Sequence, residues 1–292
     1  MNEPRWIHGS RDDPPFQVHR HDSNTYLLRQ SKLASYEAPF LFLLFGEQRA
    51  LLLDTGAVAA PEKAPLRSTV DGLVSAWLTD NPREHYPLVV AHTHGHGDHV
   101  AGDAQFADRP DTTVVAKDVD AVRAFFAITD RPDEVVAYDL GGRVLEIVGI
   151  PGHHEASIAV FDARTGFLLT GDTVSPGRLY VADHSAFVDS LGRLVDFAAA
   201  RDVTGVYGCH IEMTRAPGRD YPLGCRFQPD EPPLRMDPAV LPEVLEAARR
   251  ATRPGPLVND DFIIWNRAQT RLLLTHVPRL LWSKVAGPRS AR

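Results

Sequence analysis

Between Val89 and His99 the chain places His92, His94, His96 and His99, four of its thirteen histidines, together with Asp98. Side chains two apart do not meet on a helix, so His94 and His96 could not converge there. A loop leaving a strand end can aim His94, His96, Asp98 and His99 at one point, and Gly95 and Gly97 offer its backbone the freedom to do so. Imidazoles and carboxylates are borderline donors that suit zinc or iron, whereas magnesium and calcium favour oxygen shells. A single histidine is more often a surface or core residue, and a short His-rich tract can bind metal adventitiously. Four donors directly after the apolar run Leu88-Val89-Val90-Ala91, which reads as a buried strand, point instead to a built metal loop.

Other apolar runs also end in residues that could serve such a site. Ala50 to Leu53 delivers Asp54, which reads either as a turn residue, the stronger reading for the residue alone, or as a partner orienting a ligand histidine. Arg143 to Ile150 alternates as a strand and runs into Pro151-Gly152-His153-His154. Phe167 to Thr170 ends in Gly171-Asp172-Thr173, and Val203 to Gly208 ends in Cys209-His210. Strands are also expected at Thr25–Leu28, Phe40–Phe45, Thr112–Ala116, Ser157–Asp162 and Phe262–Trp265.

Helical periodicity appears in Ser68–Thr79, with Ser68 or Thr69 as N-cap, and in a short helix over Val119–Ala127. A third follows from Ser185, capped by Asp183 or Ser185, and a fourth spans Pro242–Thr252. Strand, helix, strand with ligands at strand ends is a layered α/β pattern. The first fifteen residues read as a polar arm. Residues 213–292 read as an extension packing on the core of one domain spanning 1–292, with 215–238 as a long irregular loop. The apolar tail Leu272–Trp282 is expected to dock on the core or to form a homo-oligomer contact; Pro278 and few basic residues disfavour membrane binding.

The 292 residues can bury a substantial core, and a composition 43% hydrophobic and 24% charged is that of a soluble globular protein. A formal charge of −7 disfavours nucleic acid as partner. Two cysteines imply no disulfide framework, and without a leader-like or membrane-length apolar stretch a cytoplasmic location is expected.

His94-Gly95-His96-Gly97-Asp98-His99 resembles the HxHxDH signature of the metallo-β-lactamase fold hydrolases. Leu53-Asp54-Thr55-Gly56, Pro151-Gly152-His153, Thr170-Gly171-Asp172-Thr173 and Gly208-Cys209-His210 look like that family's other motifs, in order, over roughly residues 16 to 212. The resemblance implies an α/β fold, a four-layer αββα sandwich of two mixed β-sheets flanked by helices, carrying two Zn2+ ions per chain, with iron or manganese as alternatives. It implies that His94, His96 and His153 hold the first ion, that Asp98, His99 and His210 hold the second, and that Asp172 bridges them. A metal-bridging hydroxide would then attack a small carbonyl substrate, a lactone, thioester or ester, with Asp98 also moving a proton. Where the family often has a small segment after His153, this chain has His154-Glu155-Ala156; His154 either replaces His153 or lines the pocket, and the position after Pro151-Gly152 favours His153.

In lactonase-like members a tyrosine after the bridging carboxylate donates to the substrate oxygen. Tyr180, near Arg178, either does this or merely packs. Tyr221, Cys225 and Arg226 are weaker candidates for shaping the pocket, and Cys209 reads as a small buried residue. The common zinc β-lactamases carry cysteine where Asp172 stands, which disfavours antibiotic hydrolysis. Glutathione thioesterases usually have a helical C-terminal domain with basic contacts, which ranks that specificity lower here. The alternatives are an iron-dependent oxidoreductase of sulfur compounds on the same fold and a noncatalytic metal-binding relative.

Overall fold

A computed structural model describes residues 4–267 apart from 130, 132 and 133. The first half runs β1 (Phe16–Asp22), β2 (Thr25–Gln30), β3 (Phe40–Phe45), β4 (Ala50–Leu53), α1 (Leu66–Asp80), β5 (Leu88–Ala91), α2 (Gly97–Val100), β6 (Thr112–Val114) and α3 (Val119–Phe126). The second half runs β7 (Val135–Asp139), β8 (Val144–Gly149), β9 (Ile158–Asp162), β10 (Phe167–Gly171), β11 (Arg178–Val181), α4 (His184–Ala199), β12 (Gly205–Gly208), β13 (Arg235–Met236), α5 (Val240–Arg250), β14 (Gly255–Val258) and β15 (Ile263–Asn266). One six-stranded sheet is ordered β1-β2-β3-β4-β5-β6, a second β13-β12-β10-β9-β8-β7, and β11-β15-β14 form a small third sheet.

The inner strands of the two large sheets, β3, β4 and β5 in one and β9, β10 and β12 in the other, are buried on both faces because both faces are covered. Phe40, Phe42 and Leu44 of β3 meet Ile158 and Val160 of β9 and Phe167 and Leu169 of β10 in a core between the sheets. The alternate residues Leu41, Leu43 and Phe45 face outward onto Leu66, Val70, Val74 and Trp77 of α1. On the far side Ala159, Phe161 and Leu168 face Phe187, Leu191 and Leu194 of α4 and Val240 and Val244 of α5. The two-residue side-chain period of the strands and the i, i+4, i+7 period of the helices thus generate four layers, αββα. Fully burying one such side chain contributes about 1.5–3 kcal/mol, so this layering dominates the stability.

Two mixed sheets and flanking helices match the expected architecture, with differences of detail. Helix α1 begins at Leu66, and neither Ser68 nor Thr69 caps it: both hydroxyls donate back to the Pro65 carbonyl, 3.2 and 2.8 Å, because both lie inside the first turns. Asp183 does cap α4, accepting from the Ala186 amide at 3.1 Å. The third sheet was not foreseen. It joins β11 in parallel to β15, so part of the chain beyond Met213 is tied to the segment that follows Asp172. Beyond Met213, β13 also extends the second sheet on β12 and α5 packs in the outer core. The tail Leu272–Trp282 lies outside the described residues. Among those described, no helix is long and apolar enough to cross a membrane.

β4 and β5 run parallel, as do β10 and β12, while β8 is separated from β10 by the antiparallel β9. The C-terminal ends of β4, β5, β8, β10 and β12 therefore lie at the same end of their sheets, and each run of apolar residues ends there in a polar one. Buried Arg143 ties the sheets together toward the opposite end: its guanidinium donates to the Phe45 carbonyl of one sheet at 3.2 Å and to Asp162 of the other at 2.6 Å.

Candidate metal centre

His94, His96 and His153 converge on one point. His94 Nε2 lies 2.9 Å from His96 Nδ1 and 3.2 Å from His153 Nε2, and His153 Nε2 lies 3.0 Å from His96 Nδ1. A second cluster sits beside it: His210 Nε2 is 3.4 Å from His99 Nε2, 3.3 Å from Asp98 Oδ2 and 3.4 Å from Asp172 Oδ1. Asp172 faces both. Its Oδ1 is 3.5 Å from His99 Nε2, and its Oδ2 is 3.9 Å from His94 Nε2 and 3.7 Å from His153 Nε2.

These donor sets fit cations. Ligands of a tetrahedral zinc ion at about 2.0–2.1 Å stand about 3.3 Å apart, close to the spacings of both clusters. Three imidazole nitrogens so near one another cannot all be satisfied among themselves, and Asp172 Oδ1 is buried without a hydrogen bond. Each sequence-predicted metal ligand thus falls in one of two neighbouring groups. His153, not His154, completes the first; the His154 Nδ1 accepts from the Ala156 amide at 3.1 Å, while its ring packs against that of His96.

Three of the ligand histidines are held from behind through their other ring nitrogen. His153 Nδ1 donates to the Tyr180 carbonyl at 2.7 Å, His210 Nδ1 to the Glu37 carbonyl at 3.1 Å, and His99 Nδ1 lies 2.9 Å from Asp54 Oδ2. Such contacts fix the tautomer and aim the other nitrogen inward. Asp54 is therefore more than a turn residue: it adopts the left-handed conformation, φ 70°, at the end of β4, and its carboxylate also accepts from the amide and hydroxyl of Thr93, 2.7 and 2.9 Å, and from Cys209. Cys209 is buried, as expected of a small core residue.

The metal loop departs from expectation in how it uses glycine. Neither Gly95 nor Gly97 takes a positive φ. Gly95 is demanded by space, since a Cβ would lie 2.9 Å from the Lys117 carbonyl and 3.0 Å from the His154 ring, whereas Gly97 opens α2 beside empty space. Gly171, before Asp172, is the stricter position: it has φ +56° and a Cβ there would meet Thr93 at 2.8 Å.

Burial and neighbouring charge divide the histidines. Burial, reinforced by the His99 charge, holds His94 well below the usual imidazole range, and burial takes His153 to about 4 against the pull of Asp172. Burial also opposes charge on His99 and His210, but carboxylates prevail: Asp172 and Asp54 raise His99, and Asp172 with Asp98 raise His210 to about 10. Burial would raise Asp172, yet His210 and His99 hold it well below the ordinary carboxylate range.

A cavity of about 280 Å³ opens over both clusters, walled by Glu37, Ser175, Arg178, Tyr180 and Glu212 besides the ligand residues. Burial raises the Tyr180 phenol, so its proton stays on at neutral pH. Its hydroxyl is buried, within electrostatic reach of Arg178, yet makes no well-formed hydrogen bond. Arg178 is fully engaged in anchoring Glu212 and Asp220 and the Tyr221 carbonyl. Tyr221, Cys225 and Arg226, considered for the pocket wall, do not line it; the Tyr221 hydroxyl accepts from the Asp230 amide and Arg226 binds the Lys32 and Leu33 carbonyls. Glu37, Thr93 and Glu212 were not anticipated. Thr93 could have been, from its place between two motif histidines, but the roles of the Glu37 and Tyr180 carbonyls leave no trace in residue type.

The family model of the metallo-beta-lactamase superfamily matches residues 38–258, more than half of the chain. The chain belongs to this superfamily. Among curated proteins it is 32% identical over 211 residues to a hydroxyacylglutathione hydrolase of Ruegeria pomeroyi, covering 70% of this chain and 73% of that one. It is 27% identical over 266 residues to one from Synechococcus, covering 82% and 90%. The fold is shared with a metallo-beta-lactamase from Pontibacter korlensis, TM-score 0.53, at 18% identity over 80% of this chain and 99% of that one. With the superfamily match and these relatives, this member is a metal-dependent hydrolase.

Proposed function

We propose that this hydrolase carries two zinc ions and cleaves an acyl thioester. The observation that carries the reading is the position of Asp172, one carboxylate oxygen toward each donor cluster. His94, His96 and His153 would hold one ion and Asp98, His99 and His210 the other, with Asp172 common to both. Bound there, the ions would supply a water acidic enough to ionise near neutral pH and a Lewis acid for the acyl oxygen.

The rest of the chemistry belongs to the chain. Asp98, partly exposed to the cavity, accepts a proton as the acyl carbon is attacked. Tyr180, on the cavity wall beside Arg178, keeps its hydroxyl protonated and would donate it to the oxygen on which charge develops. The buried imidazoles of His153 and His210 form the floor of the cavity, and their packing against His94 and His99 keeps those donors in place.

The thioester class is supported by the hydroxyacylglutathione hydrolases among the relatives and moves above lactones and simple esters. It also revises the low rank given to glutathione thioesters from the short C-terminal region. The unpaired cysteines accord with a reducing, cytoplasmic setting.

The test couples metal quantification to a panel of glutathione and other acyl thioesters, lactones, β-lactams and phosphodiesters. Two equivalents of zinc with thioester turnover are expected. Iron with thiol-dependent oxygen uptake, or turnover confined to another class, would sink the proposal.

A further inference from the structure

Of the five histidines in the two clusters, His99, His153 and His210 are held from behind by Asp54 and by the Tyr180 and Glu37 carbonyls, and Thr93 Oγ1 stands 3.2 Å from Nδ1 of a fourth, His94. His96 differs. It turns Nδ1 toward His94 and His153, it is exposed, and no described residue bonds its Nε2. The outer torsion of a histidine is soft and roughly two-fold, so a ring without such a bond needs packing to hold its plane.

That packing comes from His154. Its ring centroid lies 4.9 Å from that of His96 with the planes at 81°, and 5.7 Å from that of His94 at 53°. The other rings against His96 are its own cluster partners, His94 and His153, so His154 is the one ring contact reaching it from outside the donor set among the described residues. His154 is itself fixed: its Nδ1 accepts from the Ala156 amide at 3.1 Å, and its carbonyl accepts from the Ser157 amide at 3.2 Å. Gly95 makes room for it, since a Cβ there would lie 3.0 Å from His154 Cε1 and 3.2 Å from its Nε2. The metal loop thus carries no side chain where the His154 ring crosses it.

From these contacts we infer that His154 is a positioning residue: its ring, held by the loop joining β8 to β9, fixes the plane of His96 and so aims Nδ1 at the point shared with His94 and His153. A ring does for His96 what hydrogen-bond partners do for the other four. The inference rests on the reading that these three histidines hold an ion, and it asks of His154 no bond to metal or substrate.

Two substitutions separate the ring from its nitrogen. His154→Asn keeps an acceptor for the Ala156 amide and removes the ring, whereas His154→Phe keeps a ring and removes the acceptor. Zinc is titrated into the metal-free full-length protein in competition with a chromophoric chelator. His154→Asn is expected to weaken one of the two ions roughly threefold to tenfold, the range of an edge-to-face aromatic pair, while His154→Phe stays within about twofold of the wild type. Equal loss in both variants would assign the effect to the nitrogen, and no loss in either would leave His154 without a role; each result overturns the inference. A wild type that takes up no zinc would overturn the two-ion reading instead, and metal-free crystals then decide the inference by themselves. A single plane for the His96 ring in the wild type and His154→Phe, with more than one in His154→Asn, supports it; the same plane in all three overturns it.

Discussion

His94, His96 and His153 present three imidazoles and no carboxylate of their own, whereas Asp98, His99 and His210 mix two imidazoles with a carboxylate. The first group rests on Thr93 and the Tyr180 carbonyl, and its His96 is exposed to the cavity. The second rests on Asp54 and the Glu37 carbonyl, and its His99 is fully buried. Burial wins over charge at His94 and His153; carboxylates win over burial at His99 and His210. The lesson is that two neighbouring sites on one fold end are tuned in opposite directions by the balance between burial and the carboxylates around each, and only Asp172 faces both.

The sharpest way to break this contrast is to remove the shared group. Asp172→Ala should reduce kcat by on the order of a thousandfold or more, the upper range for losing one charge-stabilising group, and lower zinc content in both halves; loss of one equivalent with the other intact would assign Asp172 to a single half. Tyr180→Phe separates the tyrosine's two contributions, since the variant keeps the carbonyl that holds His153. Zinc content should stay unchanged while kcat falls by about a hundredfold. Unchanged kcat would leave the phenol a packing group.

Asp54→Asn acts on the second half directly, through His99, and on the first only at one remove, through Thr93 and His94. Affinity for one of the two ions should weaken by roughly 10–100-fold, measured by competition with a chelator, and equal weakening of both would erase the distinction between the halves.

A further effect, on stability and not on the chemistry, concerns the support of the Glu37 loop. Lys32 is buried against Arg29 and Glu231, and its ammonium lies 3.4 Å from the Tyr36 carbonyl. Burial, aided by Arg29, lowers it from 10.5 to about 8. Between those values the unfolded chain binds more protons than the folded one, so stability rises with pH through that window. Lys32→Met should be more stable than the wild type at pH 7, by on the order of 2–3 kcal/mol at most, with the gap closing toward pH 10.5. Thermal unfolding at the two pH values measures it, and a gap independent of pH would contradict it.

Much of this was legible in the sequence because the strands are buried on both faces. Continuous apolar runs such as Leu51-Leu52-Leu53 and Val89-Val90-Ala91 mark their own ends, and the residues directly after them fall on one rim of the sandwich. Asp54 was harder, since an Asp-Thr-Gly segment taken alone reads more readily as a turn; only the packing of β4 beside β5 brings it to His99. The third sheet was missed because β11 pairs in parallel with β15, a segment far along the chain, and that pairing is set by tertiary contact. The anchoring carbonyls of Glu37 and Tyr180 lie beyond any reading of side chains, because every residue type carries the same carbonyl.

The common carboxylate has a further consequence for how the centre fills. With Asp172 common to two ions as proposed, whatever occupies the three-imidazole half would fix the orientation of Asp172 for the other half, and the two affinities would form one linked equilibrium. The factor by which the first ion changes the affinity for the second must equal the factor by which the second changes that for the first. Loading is thus a property of the pair, and a titration that shows two unrelated constants would mean that Asp172 does not couple them.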